Sequence, residues 1–177
     1  MIVIDIPDVE FFDSDSERFL VVPGGTYSFE HSLKAIAKWE SFWKLPYLNT
    51  YSNFTREQTL SYYCCMCEDP TIDFRLITYD VEKVLIDRIN DRATATTIQN
   101  DSNGPSNKVV TSEEIYANMA MAQIPYTCED WHFNRLLMVL SIIGAKHAPK
   151  KKMSREEIYA QNRAINEQRK RELNTKG

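Results

Sequence analysis

One segment, WHFNRLLMVLSII at residues 131–143, limits what this chain can fold into more than any other feature. Its apolar residues occupy nearly every position of the helical repeat, so almost no polar face is left. A helix of this kind is typical of the centre of a hydrophobic core. The segment therefore predicts a central buried helix, which opens in the first turn at Thr127 and Asp130 and ends at Gly144.

Capping patterns mark further helices along the chain. Thr55–Gln58 and Thr111–Glu114 both place a hydroxyl three residues before a side chain that can return to the N-cap, which is the capping-box pattern. Helical spacing of apolar residues predicts another helix within 28–46, and Asp80 is a good N-cap for one more. These signals together predict a mainly helical body.

Short β-branched runs predict a minor β component. Residues 2–6 (IVIDI) and 18–22 (RFLVV) are typical of small strands bounded by proline and glycine. The threonine-rich run from residue 93 and the returning 108–110 segment flank the polar loop DSNGPSN, which predicts a hairpin over 93–110. The fold class is therefore predicted to be mainly α with minor β, a compact helical body with two short β-hairpins and a basic helical arm.

The composition changes after Gly144, which divides the chain into a predicted body at 1–145 and a basic linker and terminal helix at 146–177. Residues 146–177 hold ten Lys or Arg against four Glu, a net charge of +6, so the rest of the chain carries −10. Such an arm can bind its own body, a neighbouring copy or an acidic partner. The predicted interaction residues are Lys150, Lys151, Lys152, Arg155, Arg163, Arg169, Lys170 and Arg171.

The terminal helix over 155–173 has too few apolar positions to fold by itself, so we expect it to need a partner surface. The N-terminal MIVIDIPD carries acids where a signal peptide carries bases, and no apolar run approaches the roughly 20 residues of a membrane span. We therefore expect a soluble protein that acts in the cytoplasm without a membrane. The four cysteines lack the spacing of a secreted disulfide framework, so we expect reduced thiols.

Two chemical alternatives rest on these cysteines. The possible zinc ligands are Cys64, Cys65, Cys67, Cys128, His31, His132 and His147. Adjacent helical residues point roughly 100° apart, so two thiolates of the 64–67 group would converge only under strain. Cys128 in the first turn of a helix, four residues before His132, could be an activated nucleophile. Neither is favoured, because no third group completes a site, and no cofactor, catalytic residue or metal ligand is predicted.

Several segments resemble a family of small proteins from tailed bacteriophages that lie among tail and virion morphogenesis proteins. The family pattern HSL…KWE matches residues 31–48, TATT matches 93–97, IPFE…WHLNRLL matches 111–146, and its basic ending matches 151–177. Phe133 stands where the family has Leu. The positions that match include Trp39, Glu40, Trp131, His132, Asn134, Arg135, Leu136 and Arg169.

The resemblance implies a non-enzymatic role in tail assembly, either as a tail assembly chaperone or as a subunit of the tail, baseplate or neck. It implies partners among other phage tail or virion proteins, or copies of this chain, in the host cytoplasm during assembly or in the virion. We expect Arg135 to pair with Glu40 within a core-anchored polar cluster. That cluster comprises Trp39, Glu40, Trp131, His132, Asn134 and Arg135. A nucleic-acid-binding arm and a Cys-dependent enzyme are the alternatives.

Overall fold

The computed structural model describes residues 1–14, 17–49, 53–97, 109–147 and 155–173. Helices dominate these residues and two small antiparallel sheets accompany them, which confirms the predicted fold class. Two 3-10 helices span Phe74–Leu76 and Tyr126–Asp130. The strands are β1 (Ile2–Ile6), β2 (Val9–Asp13), β3 (Arg18–Val22) and β4 (Gly25–Phe29). The helices are α1 (Leu33–Trp43), α2 (Arg56–Met66), α3 (Tyr79–Asn90), α4 (Ser112–Met121), α5 (Phe133–His147) and α6 (Arg155–Leu173).

The four strands form one long, two-stranded antiparallel ribbon that is interrupted at its middle. β1 pairs with β4 and β2 pairs with β3, and the register runs on from one pair to the next, since Ile6 faces Gly25 and Val9 faces Val22. Pro7 and Pro23 lie in the gap, where they have no N–H to donate to a ladder. The sequence predicted β1 and β3 but not β2 and β4.

Gly24 lies in this gap, against the backbone of Ile6 and Pro7 on the opposite side of the ribbon. A Cβ atom built on Gly24 would lie 2.0 Å from the carbonyl oxygen of Ile6, a distance that no real Cβ tolerates. The backbone N–H of Gly24 also donates to the Asp8 carboxylate at 2.7 Å. Only glycine therefore fits this position without moving the backbone.

The core is centred on α1 and its contact with α2. Leu33, Ile36 and Trp39 of α1 are completely buried, and Ser32 caps the helix by accepting the N–H of Ala35. The capping box at the start of α2 is confirmed, because Thr55 and Gln58 each bind the other's backbone N–H. The sequence predicted α2 from this capping box and α1 from the spacing of its apolar residues, but it did not predict the cap at Ser32.

The prediction that the 131–143 segment forms the centre of the core is wrong. Only Phe133 and Leu136 of α5 are buried; Val139 and Ile142 are half-buried, and residues 144–147 are exposed. α5 also begins at Phe133 and continues past Gly144, which has no neighbouring atom within 4 Å of a Cβ position. Hydrophobicity marked the helix correctly but did not show which surface would cover it.

The predicted hairpin at 93–110 is not found in the described residues on its two sides. Residues 93–97 and 109–110 contain no strand, and residues 98–108 lie outside the described part of the chain. The two sheets of the structure both belong to the N-terminal ribbon. The threonine-rich run forms no strand among the described residues, so β-propensity alone did not produce a ladder.

The chain divides into two compact units, Met1–Ala145 and Lys146–Gly177. The first contains the ribbon and the core, and the second contains α6. Among the helices in the described ranges, none is both long and apolar enough to cross a bilayer.

We expect Gly24→Ala to destabilise the protein, because the new methyl group would displace the backbone of Ile6 and Pro7. The free energy of unfolding should fall by about 1–3 kcal/mol, the usual cost of overpacking. Urea denaturation followed by circular dichroism measures this change. Gly144→Ala is the matched control, since it adds the same methyl group in open space within a helix and should raise stability by about 0.5–1 kcal/mol. Equal effects of the two substitutions would contradict this account.

Candidate functional site

Glu40 is a buried carboxylate that binds two distant backbone groups. Its Oε1 accepts the N–H of Tyr47 and its Oε2 accepts the N–H of Ser112, both at 2.7 Å. Ser112 is the first residue of α4, and Thr111 occupies the N-cap position without capping the helix through its side chain. Glu40 therefore supplies the negative charge that the N-terminus of α4 favours.

The expected ion pair between Arg135 and Glu40 is wrong. The Arg135 guanidinium lies 4.7 Å from the centroid of the Trp131 ring, and both residues are exposed on the surface. The Glu40 oxygens are already occupied by backbone N–H groups. Trp131 and Arg135 thus form a surface stack and do not belong to the core.

His132 and Asn134 hold the C-terminal end of α3. The Nδ1 atom of His132 accepts the N–H of Asn134 at 3.2 Å, which leaves Nε2 as the protonated nitrogen that donates to the carbonyl of Arg88 at 2.9 Å. The Asn134 side chain donates to the carbonyls of Ile89 at 3.1 Å and Asp91 at 2.7 Å. The last carbonyls of a helix have no partner within it, so these two side chains complete α3.

Trp39 anchors a cluster of aromatic rings between α1 and α2. Its indole N–H donates to the carbonyl of Gln58 at 2.8 Å, and its ring lies edge-on to Phe54 with centroids 4.8 Å apart. Tyr47 stacks on Tyr62 with centroids 3.9 Å apart. The predicted role of Trp39 in the core agrees with its complete burial.

His31 links the residues before α1 to the start of α5. Its carbonyl accepts the N–H of Phe133 at 2.7 Å, and its Nδ1 lies 2.5 Å from the Tyr62 hydroxyl. The ring centroid of His31 is 5.5 Å from that of His132. Burial lowers the pKa of His31 to about 3, and the nearby His132 and Arg88 contribute to this shift. The sequence offered His31 only as one potential metal ligand, whereas the structure makes it a buried, neutral part of the core.

The thiols are not placed for nucleophilic chemistry. Burial raises the pKa of Cys64 to about 11, and it also raises the pKa values of Cys65 and Cys67. Cys128 lies in a short 3-10 helix that ends before α5, so the expected first turn with Cys128 and His132 on one helical face is wrong. His132 uses both ring nitrogens to bind backbone groups. Within the described ranges, no cluster of three or more His, Cys, Asp or Glu residues could hold a metal ion.

The basic arm is the most exposed helix of the structure. Every residue of α6 whose side chain is described is exposed, including Ile158 and Leu173. The predicted interaction residues in α6 therefore lie on an accessible surface, whereas Lys150, Lys151 and Lys152 lie outside the described residues. The accessible candidate residues are therefore those of α6, whereas Trp39, Glu40, His132 and Asn134 of the polar cluster bind groups within the fold.

Comparison of the chain with protein-family models, with curated proteins and with solved structures finds no match.

We expect Glu40→Ala to reduce the free energy of unfolding by about 3 kcal/mol, because it leaves two N–H groups without an acceptor, one of them on the buried Ser112. Glu40→Gln keeps one acceptor and should cost about half as much. Arg135→Ala is the control, since an exposed cation–π contact contributes about 0.5–1 kcal/mol. Urea denaturation of the single variants and of the double variant should show no coupling between Glu40 and Arg135. A large coupling energy between Glu40 and Arg135 would instead support an ion pair between them.

The low pKa of His31 should make stability depend on pH. The unfolded chain takes up a proton at His31 as the pH falls below about 6.5, but the folded chain does so only near pH 3. The free energy of unfolding should therefore be highest above pH 6.5 and decrease as the pH falls, by up to about 1.4 kcal/mol per unit from this residue. Urea denaturation at pH 7, 6 and 5 measures the slope.

His31→Gln is the matched control for this pH dependence. The pKa of His132 is also lowered, chiefly by burial, so His132 adds to the slope in the same direction. The His31→Gln variant retains His132 but lacks the His31 contribution. Its stability should change less with pH than that of the unaltered protein, and identical slopes would rule out a neutral His31 as their cause.

Proposed function

We propose that this chain is a non-enzymatic bacteriophage tail morphogenesis protein that acts through protein–protein contacts. It serves either as a structural subunit of the tail, baseplate or neck or as a tail assembly chaperone. The observation that carries the proposal is that every described side chain of α6 (Arg155–Leu173) is exposed. The phage assignment rests on the sequence resemblance at 31–48, 111–146 and 151–177.

The exposure of α6 supports an attachment role because isolated helices are weakly stable in water. Most of the stability of a protein helix comes from packing one face against another surface. α6 is polar on average, yet it places Ile158, Tyr159, Ile165 and Leu173 on its surface without cover from described residues. A partner surface would bury these side chains and stabilise the helix. Other tail or virion proteins, or copies of this chain, would provide it.

The buried polar residues support a non-enzymatic role. Glu40, His132 and Asn134 bind backbone N–H or carbonyl groups, and His31 lies beside Tyr62 in the core. Their hydrogen-bonding atoms are used in holding the fold together. These residues also lie in segments that resemble the phage family, which is consistent with a role in its scaffold. We propose no cofactor.

The charge of α6 favours a protein partner over nucleic acid. Within 155–173 five Lys or Arg alternate with four Glu, so this helix has a net charge of only +1. A surface that neutralises phosphates along a nucleic acid needs an excess of positive charge. The mixed charges of α6 are better suited to pairing with both signs on a protein. Nucleic-acid binding through α6 therefore stays the less favoured alternative.

The proposal predicts that phage lacking this gene product assemble defective tails. A phage with a stop codon in the gene should give tailless or malformed particles by negative-stain electron microscopy, and the full chain supplied from a plasmid should restore tails. A chain lacking residues 155–173 should fail to do so. Cys128→Ala is the control and should restore tails fully, since no thiol chemistry is required. Normal tails in the absence of the chain would refute the proposal.

Mass spectrometry of purified mature particles then separates the two roles. Several copies per particle would identify a structural subunit. Detection in infected cells but not in particles would identify an assembly chaperone. The host cytoplasm is the site of action in both cases, and the virion is a second location only for a subunit.

A further inference from the structure

The distal half of the N-terminal ribbon, β2–β3, presents an exposed apolar face. Side chains alternate along a strand, so one face carries Phe11 and the buried Val22, and Arg75 lies 4.6 Å above the Phe11 ring. The other face carries Phe12, Phe19 and Val21, which are 53%, 68% and 59% exposed. We call this second face, together with Glu10, the outer ribbon face.

The outer ribbon face has the properties of an unpaired interaction surface. Phe12 and Phe19 lie directly opposite one another with ring centroids 5.3 Å apart, so they form one continuous apolar patch. A ribbon of two strands is only marginally stable by itself in water, and burying its second face would stabilise it. Residues 8–18 contain five acids and one base, and of these acids Glu10 lies on this face and Glu17 precedes β3, both of them exposed.

α6 has a face that matches this pattern with the opposite charge. Arg155, Ile158, Asn162, Ile165 and Arg169 follow one another at intervals of three and four residues, so they share one face of the helix. Ile158 and Ile165 are 43% and 39% exposed. We call this the arginine-bounded face, because an arginine lies at each end of its two isoleucines.

The dimensions of the two faces also agree. The five residues of β2 span about 17 Å. On α6, the two isoleucines are about 10 Å apart and the two arginines about 21 Å apart along the axis. The isoleucines can therefore lie on the Phe12–Phe19 pair while the arginines extend to Glu10 near the base of the ribbon and Glu17 at its tip, both of which are exposed.

We propose that the arginine-bounded face of α6 in one copy binds the outer ribbon face of a second copy. The inference rests on the proposed function, in which the arm is an attachment element. It deepens that function by naming a second copy of this chain as the partner. The two surfaces are different, so each copy can offer an arm to one neighbour and a ribbon to another. Such head-to-tail contacts produce closed rings or open helical arrays.

Charge reversal in the full chain tests the contact. The arm-reversed variant carries Arg155→Glu and Arg169→Glu, and the ribbon-reversed variant carries Glu10→Arg and Glu17→Arg. Sedimentation velocity should show the unaltered chain as an oligomer. Each variant alone should sediment as a monomer, because both of its surfaces then have the same sign. We expect the apparent dissociation constant to rise at least about tenfold, which corresponds to about 1.4 kcal/mol.

An equimolar mixture of the two variants provides the decisive measurement. The negative arm of one variant fits the positive ribbon of the other, and the positive arm fits the negative ribbon, so the mixture should form oligomers again. Arg163→Glu with Arg171→Glu is the matched control, because it makes the same charge change away from the arginine-bounded face and should leave the oligomer intact. Circular dichroism and urea denaturation verify that all variants fold.

Three outcomes would overturn the inference: a monomeric unaltered chain, reversed variants that associate like the unaltered chain, or a mixture that stays monomeric. The last would show that charge complementarity between these two faces does not hold the oligomer together. The proposed function fails separately. If the chain is monomeric but tails still require residues 155–173, the arm binds another tail protein and only the self-association is wrong.

Discussion

The body of this protein depends most on the hydrogen bonds that the buried Glu40 carboxylate accepts. A charge taken out of water is costly unless hydrogen bonds replace its hydration. Glu40 obtains two such bonds from backbone N–H groups that are 65 residues apart, at Tyr47 and Ser112. α1, the turn that follows it and the start of α4 can therefore be moved apart only by exposing a charge or leaving it unpaired. One side chain thus links a local turn to a long-range contact.

The other end of the body is held in a similar way by side chains that act on backbone groups. The segment that begins at His132 completes the last turn of α3, and the carbonyl of His31 accepts the N–H of Phe133. Side chain to backbone bonds of this kind fix where a helix ends, since they bind the groups that the helix itself leaves unpaired. The histidines are retained as neutral rings, for which a protein interior has a lower desolvation cost than for ions.

Local features of the sequence predicted much of the fold. The capping box at Thr55 and the apolar spacing of α1 depend on neighbouring residues, and sequence patterns describe neighbours well. Partners distant in the chain were not predictable in the same way. The pairing of Glu40 with backbone N–H groups could not be seen because every residue carries such a group, so a charged side chain appeared the more natural partner. α5 was placed too deep because apolar composition measures what a helix prefers, and not what covers it.

The break in the N-terminal ribbon affects how its two sides are aligned. An unbroken ladder of two strands can slide by one residue, which turns every side chain to the opposite face. Here a slide in one direction would bring Pro23 into the narrow space that Gly24 occupies against Ile6. A slide in the other direction would turn Phe29, which is completely buried, away from the core. The gap between β1–β4 and β2–β3 therefore fixes the register of the ribbon. The position of Phe12 and Phe19 at the far end of the ribbon thus depends on Gly24 at its middle.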